Sequence, residues 1–374
     1  MASLDASLDV STDASTDLYV ADGRRPNRRA LLSGALALGA AAVTPLAADG
    51  WAHAATGPEI SGCAAWGARS PSSPVHLVTA RPHKILVHHT ATANSTDYSQ
   101  AHAFSLARAI QKSHMDSRGF LDSGQHFLTS RGAHVMEGRH HSLSTLQGGA
   151  RMVESAHCTG QNTVAIGIEN EGTYSTVEPR GAQYDALVGL CERICRQYGL
   201  RAYQIYGHRD FANTTCPGDR LYALLPRLRQ DLADRIGGDP AGPVWPVVRS
   251  GDFGERVRTL QYLLVSRGAE LTVDGSFGAA TESAVRDFQT AVKVPVDGVA
   301  RRQTWGQLNR PLARGASGQA VKAVQSQLTA RSVFVAVDGS FGAATESGVT
   351  SFQSAHGLPA DGVVDARTWS RLLG

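Results

Sequence analysis

"KILVHHTAT", residues 84–92, is an apolar strand that opens onto small polar residues. A second apolar strand, "AIGIENEG" (165–172), ends in carboxylates, and "YGHRD" (206–210) follows a short third one. Side chains able to hold a metal stand at the ends of these runs. His208 and Cys216 lie eight residues apart in "GHRDFANTTCPG", too far for adjacent helical turns. That spacing suits a strand end and a following loop that reach one ion. Joined by His88 they offer two neutral imidazoles and one thiolate, a set suited to Zn²⁺. The fourth tetrahedral position then stays free for water, which separates a catalytic zinc from a closed structural one. Successive strand side chains point to opposite faces, so His88 and His89 cannot both serve one ion. Twelve of the fourteen histidines fall between His76 and His208, and most of them cannot bind metal.

The segment "RRPNRRALLSGALALGAAAVTPLAADGWAHA" has the layout of a secretory signal. It runs from a basic region (Arg24, Arg25, Arg28, Arg29) through an apolar stretch to a small-residue cleavage site, Ala52-His53-Ala54. Its "RRALL" resembles a twin-arginine export motif, which places the mature protein outside the cell or in the cell wall. A membrane anchor is disfavoured by the Ala/Gly-rich composition and Pro45, and no other segment approaches the roughly 20 apolar residues of a spanning helix. Cleavage after Ala54 removes four arginines and six aspartates, moving the net charge from +3 to about +5. No dense Lys/Arg cluster with interleaved aromatics is present, so nucleic acid is not an expected partner.

A Gly/Pro-rich stretch at 237–248 reads as a semi-rigid linker, and beyond it the chain repeats itself. "DGSFGAATES" occurs at 274–283 and again at 338–347. Val257/Val321, Phe288-Gln289/Phe352-Gln353, Asp297-Gly298/Asp361-Gly362 and Thr304-Trp305/Thr368-Trp369 keep the same offset, so two copies of one module are present. Each reads as three short helices around a limited core, with Trp305 and Trp369 in that core rather than stacked on a glycan.

The metal motifs resemble those of the zinc-dependent N-acetylmuramoyl-L-alanine amidases, the family that phage lysozyme-type amidases share with peptidoglycan-recognition proteins. The resemblance spans residues 63–231 and selects His88, His208 and Cys216 as the Zn²⁺ ligands. "VDGxFGxxTxxAVxxFQ" is similar to the three-helix peptidoglycan-binding module of wall hydrolases, over residues 249–374. Together they imply an α/β domain, a mixed central sheet flanked by helices, followed by two small three-helix all-α repeats. The expected layout is leader and signal (1–54), amidase domain (55–236), linker (237–248) and repeats (249–310 and 311–374). A monomer is expected. Two modules on a linker would raise the local substrate concentration and add avidity if both bind at once.

The reaction implied is hydrolysis of the amide between the lactyl group of N-acetylmuramic acid and L-alanine of the stem peptide, with zinc-activated water as nucleophile. Glu169 is the expected proton carrier, with Glu171, on the same strand face, as fallback. Thr214 sits where the family holds a Lys or Thr near the developing oxyanion, and His157 resembles a substrate-contacting His at the groove edge. Gln125 departs from the family, whose catalytic members usually carry a Tyr in a "GYHF"-like motif. A carboxamide can hydrogen-bond there but cannot transfer a proton as a phenol can. Two other readings stay open: a non-catalytic wall-binding protein, and a zinc peptidase cutting within the stem peptide, although no "HExxH" occurs.

With Cys216 on zinc, Cys63, Cys158, Cys191 and Cys195 suffice for two disulfides in an exported protein. Cys191 and Cys195 share a helix marked by Leu187, Leu190, Ile194 and Tyr198. Residues four apart there keep Cβ atoms about 5–6 Å apart, whereas a disulfide needs about 3.8 Å. Each is therefore expected to pair with Cys63 or Cys158.

Overall fold

The computed structural model describes residues 57–374; the expected leader and export signal, residues 1–54, lie outside them. In chain order the strands are β1 (Ile60–Ser61), β2 (Leu77–Val78), β3 (Lys84–His89), β4 (Phe127–Thr129), β5 (Val135–Glu137), β6 (Met152–Val153), β7 (Ala165–Asn170) and β8 (Ile205–Gly207). Six of them form one sheet in the order β1-β5-β4-β7-β3-β8, while β2 and β6 pair separately. The sheet is mixed: β4 and β5 run antiparallel, and the other pairings are parallel.

Strand alternation splits the central strands into two faces. Ile85 and Val87, Ile166 and Ile168, and Ile205 point to one side and join a large core. Helices α4 (Gly181–Tyr198) and α6 (Leu225–Ile236) cover that face, and the stripe Leu187, Leu190, Ile194 is at most 1% exposed. On the other side, α1 (Cys63–Trp66) and α2 (Gln100–Lys112) pack over Leu128 and Met136 of β4 and β5. Two short helices complete this domain, α3 (Ser142–Gly148) and α5 (Asp219–Ala223). No helix among the described residues is long and apolar enough to cross a membrane.

The expected disulfides are not formed, and all five cysteines are free. Cys191 and Cys195 lie in the core under α4, Cys63 in the cluster with Trp66 and Leu128, and Cys158 in a third beside Leu86 and Tyr206. Separate clusters keep Cys63 and Cys158 apart from each other and from the α4 pair, and burial raises each thiol pKa.

The repeats comprise α7 (Glu255–Val265), α8 (Ala279–Ala291) and α9 (Arg302–Leu308), then α10 (Gln319–Ala330), α11 (Ala343–Ala355) and α12 (Ala366–Leu373). Trp305 and Trp369 are fully buried. Four buried glutamines explain the repeated Asp-Gly pairs. Gln261 accepts from Gly275 N and donates to Asp274, Ser276 O and Thr281, and Gln325 does the same in the second copy. Gln289 and Gln353 hold the later Asp-Gly turns. Each turn glycine has φ between +71° and +82°, a conformation that favours glycine.

The two copies are not independent beads. They share one hydrophobic core, and Gln327 of α10 donates to Thr259 Oγ1 of α7 at 2.7 Å. The Gly/Pro segment is likewise packed rather than free. Val248 bridges to Ala300, Trp245 stacks on Trp305 with centroids 6.3 Å apart, and Trp305 Nε1 donates to Pro246 O. Apolar residues set among the prolines anchor it, so it does not act as a loose tether.

Candidate functional site

The register of β3 and β7 sets His88 directly beside Glu169, and His208 follows β8, the neighbour of β3 on its other side. All three therefore lie at the carboxyl ends of adjacent parallel strands, where open α/β sheets place their ligand crevices. A groove of about 270 Å³ opens there, lined by His88, Gln125, His157, Glu169, His208, Thr214 and Cys216. Every residue singled out from sequence, Glu171 excepted, reaches it.

His88, His208 and Cys216 each offer a ligand atom within 4.8 Å of the others, and His88 Nδ1 is 3.7 Å from Cys216 Sγ. Burial holds His88 well below the usual imidazole range, helped by the neighbouring histidines, and lowers His208 to about 4. Both are neutral at pH 7, as metal ligation requires. Burial pushes the Cys216 thiol up to about 12, against a pull from the His89 N–H, which donates to Sγ at 3.4 Å. Thr214 Oγ1 accepts from Cys216 N at 3.1 Å, leaving its own O–H free to donate.

His157 has a task that its sequence context did not give it. Its Nε2 lies 3.2 Å from Ala165 O, so that nitrogen carries the proton, and Nδ1 accepts from His88 Nε2 at 3.1 Å. His88 is thereby left with an unprotonated Nδ1 facing Cys216. Both ring nitrogens of His157 are spent on the protein rather than on substrate. Gly167 makes room for this ring, since a Cβ there would lie 2.5 Å from His157 Cδ2.

Glu169 Oε2 is buried without a hydrogen-bond partner. Burial lifts the carboxyl to about 8, with Arg118 and the Gln125 amide pulling the other way. Glu171, the expected fallback, is a structural residue. The chain leaves β7 after Asn170, and the Glu171 carboxylate turns to His102 Nε2 and Arg131 N, both at 2.7 Å. Arg118 and Phe120 also line the groove but were not singled out. They follow a π-helical turn at Ser113–Ser117 that periodicity does not reveal.

The donor set fits a borderline-soft divalent ion, with one sulfur and two neutral imidazoles converging beside a carboxyl that has one unpartnered oxygen. The family described as N-acetylmuramoyl-L-alanine amidase matches residues 78–219. That described as peptidoglycan binding domain matches residues 253–308 and 317–372. Peptidoglycan-recognition protein SC2 of Drosophila melanogaster is 33% identical over 172 residues, covering 46% of this chain and 86% of that protein. A Bacillus licheniformis protein named "Probable N-acetylmuramoyl-L-alanine amidase" is 24% identical over 341 residues, covering 77% of this chain and 92% of the relative. Among solved structures, Drosophila peptidoglycan recognition protein SD is 26% identical with a TM-score of 0.40, covering 46% of this chain and 94% of that one. The chain belongs to the N-acetylmuramoyl-L-alanine amidase and peptidoglycan-recognition family. It carries two peptidoglycan-binding domains after the amidase domain.

Proposed function

We propose that this chain is an exported peptidoglycan hydrolase that cleaves the amide between N-acetylmuramic acid and L-alanine of the stem peptide. The observation that carries the reading is the convergence of His88, His208 and Cys216 within 4.8 Å beside the unpartnered Oε2 of Glu169. Those three would hold Zn²⁺, His88 through Nδ1. When bound, the ion supplies Lewis acidity toward a carbonyl oxygen and toward water.

The remaining steps fall to the side chains around the groove. Glu169 takes the proton of the attacking water at Oε2 and returns it to the leaving nitrogen, a role suited to a carboxyl tuned toward neutrality. The Thr214 O–H donates to the carbonyl oxygen as negative charge develops on it. Gln125 donates from its amide to the same oxygen or to the water and keeps the Glu169 carboxyl oriented. The proposal of export by the twin-arginine route rests on residues 24–54 of the sequence.

A second reading, recognition without cleavage, draws on Gln125 standing in place of a phenol. Cys216 argues against it, since a thiol at that point completes a metal set that recognition alone does not need. The test is Cys216→Ala in the full chain. It should bind purified sacculi as the unaltered protein does while retaining far less zinc and no hydrolysis. Unchanged zinc content and turnover would show that the ligand set is wrong.

A further inference from the structure

His208 and Cys216 flank a loop whose outer side is occupied by the first repeat. Gln307 of α9, 2% exposed, donates from Nε2 to Phe211 O at 2.6 Å and to Thr159 O at 3.2 Å. Its Oε1 accepts from Gln161 at 2.7 Å. Gln303 donates to Arg209 O at 2.9 Å and to Ala212 O at 3.1 Å. Arg302 reaches Asp210 Oδ1 at 3.2 Å, and Asn213 N donates to Lys293 O at 3.4 Å. Gly306 allows the approach, since a Cβ there would lie 2.9 Å from the Phe211 ring. Each residue from Arg209 to Asn213 is thus met by the first repeat.

The second repeat does not repeat this surface. The core positions of α9 recur in α12, with Thr304, Trp305 and Leu308 matched by Thr368, Trp369 and Leu372. The docking positions do not, because Lys293, Arg302, Gln303, Gly306 and Gln307 correspond to Gly357, Ala366, Arg367, Ser370 and Arg371. A module kept for its own fold needs only the shared set. The differing set has its use at the amidase loop.

We propose that the first repeat is a built-in part of the metal site, and that Gln303 and Gln307 are positioning residues which set how His208 and Cys216 face one ion. This rests on the metal reading above. Neither glutamine touches the ligands; each fixes carbonyls of the loop between them, as outer partners orient a coordination sphere. One domain supplies the ligands and the next holds their spacing, which explains why the linker between them is packed.

The test uses full-length Gln307→Ala and Gln303→Ala, with Arg371→Ala, an exposed position of the second repeat, as control. Zinc affinity is read by competition with a chromophoric chelator, and melting of the metal-free proteins is followed alongside. Gln307→Ala should bind zinc about 10–100-fold more weakly, the usual range for a lost outer partner. The metal-free melting curve should stay cooperative, and Arg371→Ala should match the unaltered protein. Should Gln307→Ala fail to fold, Gln303→Ala, which loses only two partly buried carbonyl contacts, carries the test with the same direction of effect. The proposal is overturned if the folded glutamine variants hold zinc within about twofold of the unaltered chain. An unaltered chain that takes up no zinc would instead overturn the metal reading, and this proposal with it.

Discussion

His157 Nδ1 lies 3.1 Å from His88 Nε2, and the far nitrogen of His157 is anchored on the Ala165 carbonyl at 3.2 Å. A main-chain carbonyl thus sets the tautomer of His157, and His157 sets that of His88. The lone pair of His88 Nδ1 is left for a metal, an arrangement in which outer hydrogen bonds orient a ligand.

His157→Ala should therefore weaken zinc binding by about 10–100-fold, with the loss visible in a chelator competition before any substrate is added. A variant with unaltered zinc affinity and only a raised KM would return His157 to substrate contact.

Glu169 makes the metal-free protein sensitive to pH. Its carboxyl rises from an ordinary 4.5 to about 8 in the folded chain. Below pH 4.5 it is protonated in both folded and unfolded states. Between 4.5 and 8 the unfolded chain gives up a proton that the folded one keeps, so stability falls as pH rises, by no more than about 1.4 kcal/mol per pH unit. Above 8 the loss is complete. In chelator, urea denaturation should find Glu169→Gln increasingly more stable than the unaltered protein across that window. A difference that is flat with pH would mean that Glu169 is ionised in the folded protein.

Gln125 and Glu169 separate in kinetics. Loss of one hydrogen-bond donor costs about 10²–10³ in turnover, and loss of a general acid–base group about 10²–10⁴. Gln125→Ala should stay within the first range, Glu169→Gln should match or exceed it, and Gln125→Tyr should leave a working enzyme if the ring fits. An unaffected Glu169→Gln beside an inactive Gln125→Ala would move the proton carrier away from Glu169.

The motifs at the strand ends could be read because chemistry and periodicity coincide there. His88, His208 and Cys216 each follow an apolar strand or its connecting loop, and the repeats declare themselves by an identical eleven-residue stretch at 273–283 and 337–347. What could not be read depends on where the chain turns in three dimensions. Alternation sets Glu169 and Glu171 on one face, yet β7 ends at Asn170 and Glu171 swings to His102. The four remaining cysteines suit an exported framework by number, but folding distributes them among separate cores. Gln303 and Gln307 look like ordinary polar helix positions, because their partners are main-chain carbonyls almost 100 residues away.

Near pH 7 zinc uptake should release about one proton from Cys216 and a second from Glu169, which is protonated in the metal-free protein and must be ionised to accept the proton of water. The thiol of Cys216, held up at about 12 by burial, must ionise to bind, whereas His88 and His208 are already neutral. Affinity should accordingly rise about tenfold per pH unit above about 8, where only the thiol still gives up a proton, and more steeply below. Calorimetry in buffers of different ionisation enthalpy measures the count, and uptake without proton release would exclude the thiol as a ligand.

The most direct measurement is the mass of the products released from purified sacculi by the full-length protein. The account predicts free stem peptides beginning with L-alanine, together with glycan strands bearing intact lactyl-muramic acid, and neither with Cys216→Ala. Peptides cut within the stem, or sacculi that bind the protein and release nothing, would contradict it.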